Sequence, residues 1–266
     1  MPREVLAVRY GSRVAPRHES FLNYHVYKEP DGPIDVDYYF WIVREPGTGA
    51  VTLIDTGFAR EAGRRRRRDQ WLTPAEALPH LGIDPGSVGA VVITHAHWDH
   101  TGNLGQFPGA QIVMSQAEYD FWTSPLAQRA HFALHAEADE IALLTSARTD
   151  GRLTLTQRQR TQLSPGIELV QVGGHTPGEL IVIIDDGSGT VILASDALHH
   201  YEEVEQDRPY AILADLPAMY RGYDLLAELS AQPGARLVAG HDPQVRARFG
   251  AHPAHCAVTD LGNPLV

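Results

Sequence analysis

Val91-Val92-Ile93-Thr94-His95-Ala96-His97-Trp98-Asp99-His100-Thr101-Gly102-Asn103 decides how this chain is read. An apolar run of strand type delivers three histidines and one aspartate within six positions. His95 and His97 are two apart, so in extended backbone their side chains fall on the same side. Asp99 and His100 follow where the chain turns, before Gly102-Asn103. Imidazole and carboxylate together suit divalent first-row metals. Four such groups are one too many for a single-metal site with an open position, and the crowding implies two metals in one cleft. A lone histidine is usually a surface or satisfied core residue, but an accidental H-x-H-x-D-H after an apolar strand is far less common.

Composition narrows the classes. The chain has 266 residues, enough for one large domain or two small ones, and it is read here as one domain over 1–266. Apolar residues make up 43 %, which permits a sizeable core. The net charge of −11 argues against a nucleic-acid partner, which selects a basic surface. Fourteen histidines are consistent with metal chemistry. Cys256 is the only cysteine, so no intramolecular disulfide or thiolate zinc cluster forms within one chain, and a reducing cytoplasm is the expected compartment. No signal peptide is visible near Met1–Tyr10, and no run of ~18 apolar residues could span a bilayer.

Outward from the opening stretch, Glu4 to Arg9 reads as a strand and 10–36 as irregular, punctuated by Gly11, Pro16, Pro30, Gly32 and Pro33. So long a loop covers a site or a partner subunit, which suits a homodimer, or else it is a disordered surface loop; Phe21, Tyr24 and Tyr27 favour packing. Asp37–Val43 and Ala50–Ile54 pair as a hairpin that ends in Asp55-Thr56-Gly57. Asp55 is either a hydrogen-bond acceptor for a metal-bound histidine or a plain turn aspartate. The five arginines Arg64–Arg68, flanked by Glu61 and Asp69, read as a solvated face rather than an anion patch. Thr73-Pro74-Ala75-Glu76 starts a helix with a capping box. From Gln116 to about Leu144 the chain reads as mostly helical, broken near Ser124-Pro125. His131 and His135 lie four apart there, but without an H-E-x-x-H pattern they read as surface or core histidines.

A pattern then repeats. Apolar strands end at His95, at Gly173-Gly174-His175-Thr176-Pro177-Gly178, at Ser195-Asp196-Ala197 and at Gly240-His241-Asp242. Each time a ligand-type residue stands at the strand terminus. Strand ends on one edge of a sheet converge on one place, which is how open α/β folds build sites.

On these residues the chain resembles the metallo-β-lactamase superfamily. The signature set is His95, His97, Asp99, His100, His175, Asp196 and His241. The resemblance implies an αββα sandwich, two mixed β-sheets flanked by helices, with a dinuclear site at one edge. Position by position, it implies that His95, His97 and His175 hold one metal, that Asp99, His100 and His241 hold the other, and that Asp196 bridges them. Zinc is the default, with iron, manganese and cobalt as alternatives. Within the superfamily the motif neighbourhood is most similar to the N-acyl homoserine lactonase group: His97-Trp98-Asp99-His100-Thr101-Gly102-Asn103, His175-Thr176-Pro177-Gly178 and Ser195-Asp196-Ala197. That group usually has a tyrosine three residues after the bridging aspartate; here the position is His199, with Tyr201 beyond it. His199 either takes the tyrosine's role as hydrogen-bond donor or is a loop histidine.

The resemblance therefore implies a metallo-hydrolase that opens a small lactone, with Asp99 and His199 as catalytic candidates. The alternative is an ester, thioester or amide hydrolase acting on another small metabolite. Secreted β-lactamases, glyoxalase-type thioesterases with a longer helical tail, and nucleases with an added domain fit this chain less well. A metal-keeping sensor or a diiron redox protein is disfavoured by the intact ligand set and by the lack of a flavin-binding partner domain.

Overall fold

A computed structural model of the chain describes residues 2–265. Strand Pro33–Arg44 shows how the layers arise. Its residues alternate between two cores: Tyr38, Phe40 and Ile42 enter one, and Tyr39, Trp41 and Val43 the other. Successive side chains of a strand point to opposite faces, so a run that is apolar at every position must be covered on both sides. The first core lies between this sheet and outer helices such as Gln116–Trp122 and Ala138–Thr149, which contribute Tyr119, Trp122, Leu144 and Ala147. The second lies between this sheet and another, which contributes Leu169, Val182, Ile184 and Leu193; helix Leu216–Ser230 adds Met219, Tyr223 and Leu226. The order of layers is helix, sheet, sheet, helix, as the sequence resemblance implies.

Both sheets are mixed. The first runs Phe249–Ala251, Val258–Pro264, Glu4–Pro16, Pro33–Arg44, Val51–Ile54, Val88–Val92, Gln111–Ser115, Leu153–Thr156, with Asp69–Gln70 added beside Glu4–Pro16. Its pairings are antiparallel as far as Val51–Ile54 and parallel beyond. The second runs Ala235–Val238, Thr190–Leu193, Leu180–Asp185, Ile167–Gln171, Arg160–Ser164. Only its pair Thr190–Leu193 with Ala235–Val238 is parallel. The directions bring the C-terminal ends of Ile167–Gln171, Thr190–Leu193 and Ala235–Val238 to one edge. No helix among the described residues is long and apolar enough to cross a membrane.

The irregular reading of 10–36 is corrected. Glu4–Pro16 is one strand of 13 residues that pairs with Pro33–Arg44 over its whole length, and the register shifts between Arg9 and Gly11. Gly11 marks that irregularity rather than the strand's end, and Pro16 and Pro33 pair as the strand-end residues, where a missing N–H is tolerated. Between them, Arg17–Ser20 is a helical turn, and Phe21 is fully buried and bridges Tyr210. The aromatic residues pack, as their sequence pattern suggests.

Candidate metal centre

The ligand-type residues stand where strands run out. Val88–Val92 delivers His95 and His97, and a turn of helix at Trp98–Thr101 delivers Asp99 and His100. The second sheet delivers His175, Asp196 and His241 from the three strand ends at its edge. Two glycines let these loops meet. A Cβ on Gly240 would lie 2.4 Å from the Ser195 carbonyl oxygen, and a Cβ on Gly174 would lie 2.7 Å from the Met219 backbone at φ +94°. Ser195 and Asp55 themselves adopt left-handed backbone, at φ 47° and 60°. Such conformations cost about 1–3 kcal/mol each and persist where the surroundings impose them.

All seven signature residues come together. Ligand atoms of His95, His97, His175 and Asp196 lie within 4.8 Å of one another, and so do those of Asp99, His100 and His241. The Asp196 carboxylate stands between the groups. Its Oδ2 lies 3.3 Å from His175 Nε2 and 3.7 Å from His95 Nε2. Its Oδ1 lies 3.0 Å from His241 Nε2 and 3.3 Å from His100 Nε2. One oxygen faces each group.

The outward ring nitrogens are tied to acceptors, which turns the inward ones toward the centre. His100 Nδ1 sits 2.8 Å from Asp55 Oδ2. His175 Nδ1 donates to the Ile212 carbonyl at 2.7 Å, and His241 Nδ1 to the Asp37 carbonyl at 2.8 Å. His95 Nδ1 faces Glu179 Oε2 at 3.2 Å. Such outer partners fix the ring orientation and tautomer of metal-binding histidines. Asp55 therefore stands as the acceptor for a histidine of the cluster; it also accepts from the Thr94 backbone at 2.8 Å and the Thr94 hydroxyl at 2.7 Å.

The donor chemistry fits two metal ions. His95 Nε2, His100 Nε2 and Asp196 Oδ1 are buried without a hydrogen-bond partner among the described residues, a costly state for polar atoms unless an ion takes them up. His97 Nδ1 and His175 Nε2 approach each other at 2.9 Å, two nitrogens aimed at one point. Burial, with the crowding of like rings, holds His95, His97 and His175 well below the ordinary imidazole range, so they present lone pairs. Burial also works against a charged His100, but the Asp196 and Asp55 carboxylates outweigh it and raise that ring. Asp196 is held well below the usual carboxyl range by His241, His199 and His100, against its burial.

His199 lines the same cleft. Its Nε2 lies 3.1 Å from Asp196 Oδ2 and its Nδ1 lies 3.5 Å from Glu203 Oε1. Burial lowers this imidazole, but Asp196 and Glu203 push it up to about 9. Tyr201 is elsewhere: its hydroxyl donates to the Leu237 carbonyl at 3.0 Å. Tyr210 is the tyrosine at the site, stacked on His199 with centroids 3.6 Å apart. The cleft has a volume of about 280 Å³.

A family profile described as the metallo-beta-lactamase superfamily matches residues 35–241, most of the chain and all seven clustered residues. The chain belongs to the metallo-beta-lactamase superfamily. N-acyl homoserine lactonase AttM of Azorhizobium caulinodans is 30 % identical over 191 residues, 66 % of each chain. The match thus spans about two thirds of that relative. AttM of Rhizobium radiobacter is 27 % identical over 80 % of this chain and 85 % of its own. A structure of a Bacillus thuringiensis AiiA mutant with N-decanoyl-L-homoserine at its active site superposes with a TM-score of 0.74 at 20 % identity, covering 95 % of this chain and 98 % of that one. AidC, a dizinc quorum-quenching lactonase, gives 0.71 at 20 % identity, covering 91 % and 88 %. At such identities the superpositions show the fold. With the family match and these neighbours, the chain is placed among metallo-hydrolases.

Several site residues have little voice in the sequence. Glu179 opens an apolar strand, and a carboxylate in that position was a signal to follow. Glu118 is fully buried and joins two ligand loops: it accepts from the Ala96 backbone at 2.9 Å, the Gly178 backbone at 2.9 Å and the Trp122 indole at 2.6 Å. The arginine run is only partly a solvated face, because Arg66 and Arg68 line the cleft. Of the histidine pair, His135 lines the cleft with its ring 5.1 Å from His97, while His131 is exposed.

Proposed function

We propose that this protein opens the ring of a small lactone of the N-acyl homoserine lactone type, using two divalent metal ions, zinc by default. His95, His97 and His175 would hold one ion and Asp99, His100 and His241 the other, with Asp196 offering one carboxylate oxygen to each. The observation that carries this reading is the division of the two Asp196 oxygens between the two histidine groups. Bound in that cradle, a pair of divalent ions supplies Lewis acidity and a hydroxide nucleophile at neutral pH.

The chain's own residues do the rest. His199, buried beside Asp196 and braced by the Tyr210 ring, donates a hydrogen bond to the ester carbonyl as negative charge grows on its oxygen. Asp99 is the most open of the cluster, its side chain 13 % exposed, with its oxygens 4.0 Å from His100 Nε2 and His241 Nε2. From there it carries a proton to the departing alkoxide. The product is a ring-opened hydroxy acid. Acting on acyl homoserine lactones, the enzyme would quench quorum signals. It works in the cytoplasm, where the exposed thiol of Cys256 stays reduced.

Proton release from a panel of N-acyl homoserine lactones, with metal-loaded enzyme at neutral pH, tests the reading. Chelator-sensitive ring opening is expected. Absence of turnover with a full complement of metal overturns it and leaves an ester, thioester or amide hydrolase acting on a small metabolite. His199 in place of the tyrosine, and a cleft of only about 280 Å³, are what favour that second reading; the volume sits at the low end for ligand sites.

A further inference from the structure

The cleft wall away from the histidines is cationic in a chain whose net charge is −11. Arg13, Arg66 and Arg68 all line it. Arg66 is spoken for: it pairs with Glu137 and lies over the Trp98 ring at 4.5 Å. Arg13 and Arg68 are different. Among the described residues neither forms an ion pair with a carboxylate, although Asp99 lines the same cleft and Glu19 is near Arg13. Arg68 Nε donates to the Tyr38 hydroxyl at 2.9 Å, and a second nitrogen reaches the Arg66 carbonyl. Arg13 Nε is buried with no hydrogen-bond partner. A part-buried guanidinium at a cleft with no carboxylate partner keeps donors to offer, and its fork matches a carboxylate two bonds at a time.

These two arginines stand one ring away from the cluster. Arg68 holds Tyr38, whose ring meets the His241 ring edge-on at 5.1 Å. Arg13 lies against Tyr210, which stacks on His199. The fold positions both: Arg13 pairs across the sheet with Val36, two residues before Tyr38, and Arg68 ends the turn before Asp69–Gln70 pairs with Gly11 and Ser12. The apolar side offers little room for a long acyl tail. The adjoining space lined by Phe121, Trp122, Phe132 and Leu213 amounts to about 10 Å³, against about 280 Å³ for the cleft itself.

We infer that Arg13 and Arg68 form a carboxylate-binding subsite, and that the substrate is a small lactone carrying a free carboxylate rather than a long neutral acyl chain. The inference rests on the ring-opening chemistry proposed above, keeps the lactone ring, and replaces the neutral acyl chain by a carboxylate. The carboxylate docks on the Arg13–Arg68 wall, and the ring carbonyl then falls toward His199 and Asp196. Arg13 and Arg68 are specificity determinants and take no part in bond breaking.

The test compares γ-butyrolactone γ-carboxylate with its neutral carboxamide, in the metal-loaded wild type and in Arg13→Met, Arg68→Met and Arg13→Lys. The wild type is expected to favour the charged lactone. Each Met variant should lose roughly 10- to 100-fold in kcat/KM on the charged lactone, the worth of a hydrogen bond to a charged group. The loss should appear mainly in KM, with the carboxamide unaffected. Arg13→Lys should recover only part of it. Calorimetric binding of α-hydroxyglutarate, the ring-opened product, should weaken by the same factor. Equal turnover of charged and neutral lactones, unchanged in the variants, overturns the subsite and leaves lactone opening intact. If no lactone turns over but α-hydroxyglutarate affinity still depends on Arg13 and Arg68, the subsite stands and the ring-opening reading fails. If α-hydroxyglutarate affinity is unchanged in both Met variants, the subsite is wrong whatever the enzyme hydrolyses.

Discussion

Asp99 and Asp55 are both carboxylates beside His100, yet their surroundings give them opposite work. Asp99 opens onto the cleft, whereas Asp55 is fully buried and accepts from His100 and Thr94. Replacing Asp99 by Asn keeps the shape and removes the proton acceptor. Turnover should fall by roughly 100-fold or more, while metal content falls less than in His95→Ala; wild-type turnover in Asp99→Asn refutes the proton-carrying role. Asp55→Asn acts indirectly, because an amide accepts a hydrogen bond less strongly from His100 Nδ1. Affinity at the group of Asp99, His100 and His241 should drop by roughly 10- to 100-fold, with His95, His97 and His175 less affected. A metal titration that resolves two sites checks this, and equal weakening of both contradicts it.

Helix Ala138–Thr149 packs behind the ligand loop, and its Glu140 accepts from the Thr101 hydroxyl at 2.5 Å. Burial pushes the Glu140 carboxyl up to about 8, despite that hydrogen bond. Unfolded, it ionises near 4.5. Between those values the folded state holds the extra proton, so stability falls as pH rises through this window and levels off above it. Glu140→Gln should flatten the fall, with Tm at pH 8 rising relative to the wild type and the difference vanishing below about pH 4.5; a constant offset across pH contradicts the assignment. None of this was legible in the sequence, where Glu140 is one acid in a stretch that reads only as mostly helical. What was legible were the elements whose pattern is local. Thr73 and Glu76 do form their capping box, and His95, His175, Asp196 and His241 do stand at strand ends. The strand 10–16 was misread because Gly11 and Pro16 are breakers in most contexts, and only its long-range pairing with Pro33–Arg44 makes them tolerable. Arg13 and Arg68 were missed for the same reason: the contacts that bring them to one cleft join residues far apart in the chain.

At the scale of the whole molecule, the cluster is where the two sheets are joined. The first sheet brings His95, His97, Asp99 and His100, and the second brings His175, Asp196 and His241. Protein contacts across the same edge are polar and include the Thr94 and Ser195 hydroxyls at 2.8 Å, the Leu180 backbone donating to the Thr94 carbonyl at 3.0 Å, and the Asp37 backbone donating to the His241 carbonyl at 2.9 Å. Ions held there bind only the folded arrangement, since the ligands are scattered over 147 positions of the chain, from His95 to His241. At a free metal concentration ~100 times Kd, such linkage adds about 2.7 kcal/mol per site. For a chain of this size that is roughly 2–4 °C for each kcal/mol. Chelation should therefore lower Tm by several degrees, and restoring the metal should recover it. Asp196→Ala should abolish most of the difference, because one carboxylate serves both groups, whereas Arg13→Met should keep it. A chelator-insensitive Tm in the wild type would mean that the seven residues hold the sheet edge through their own contacts alone, and the dinuclear reading would fall with it.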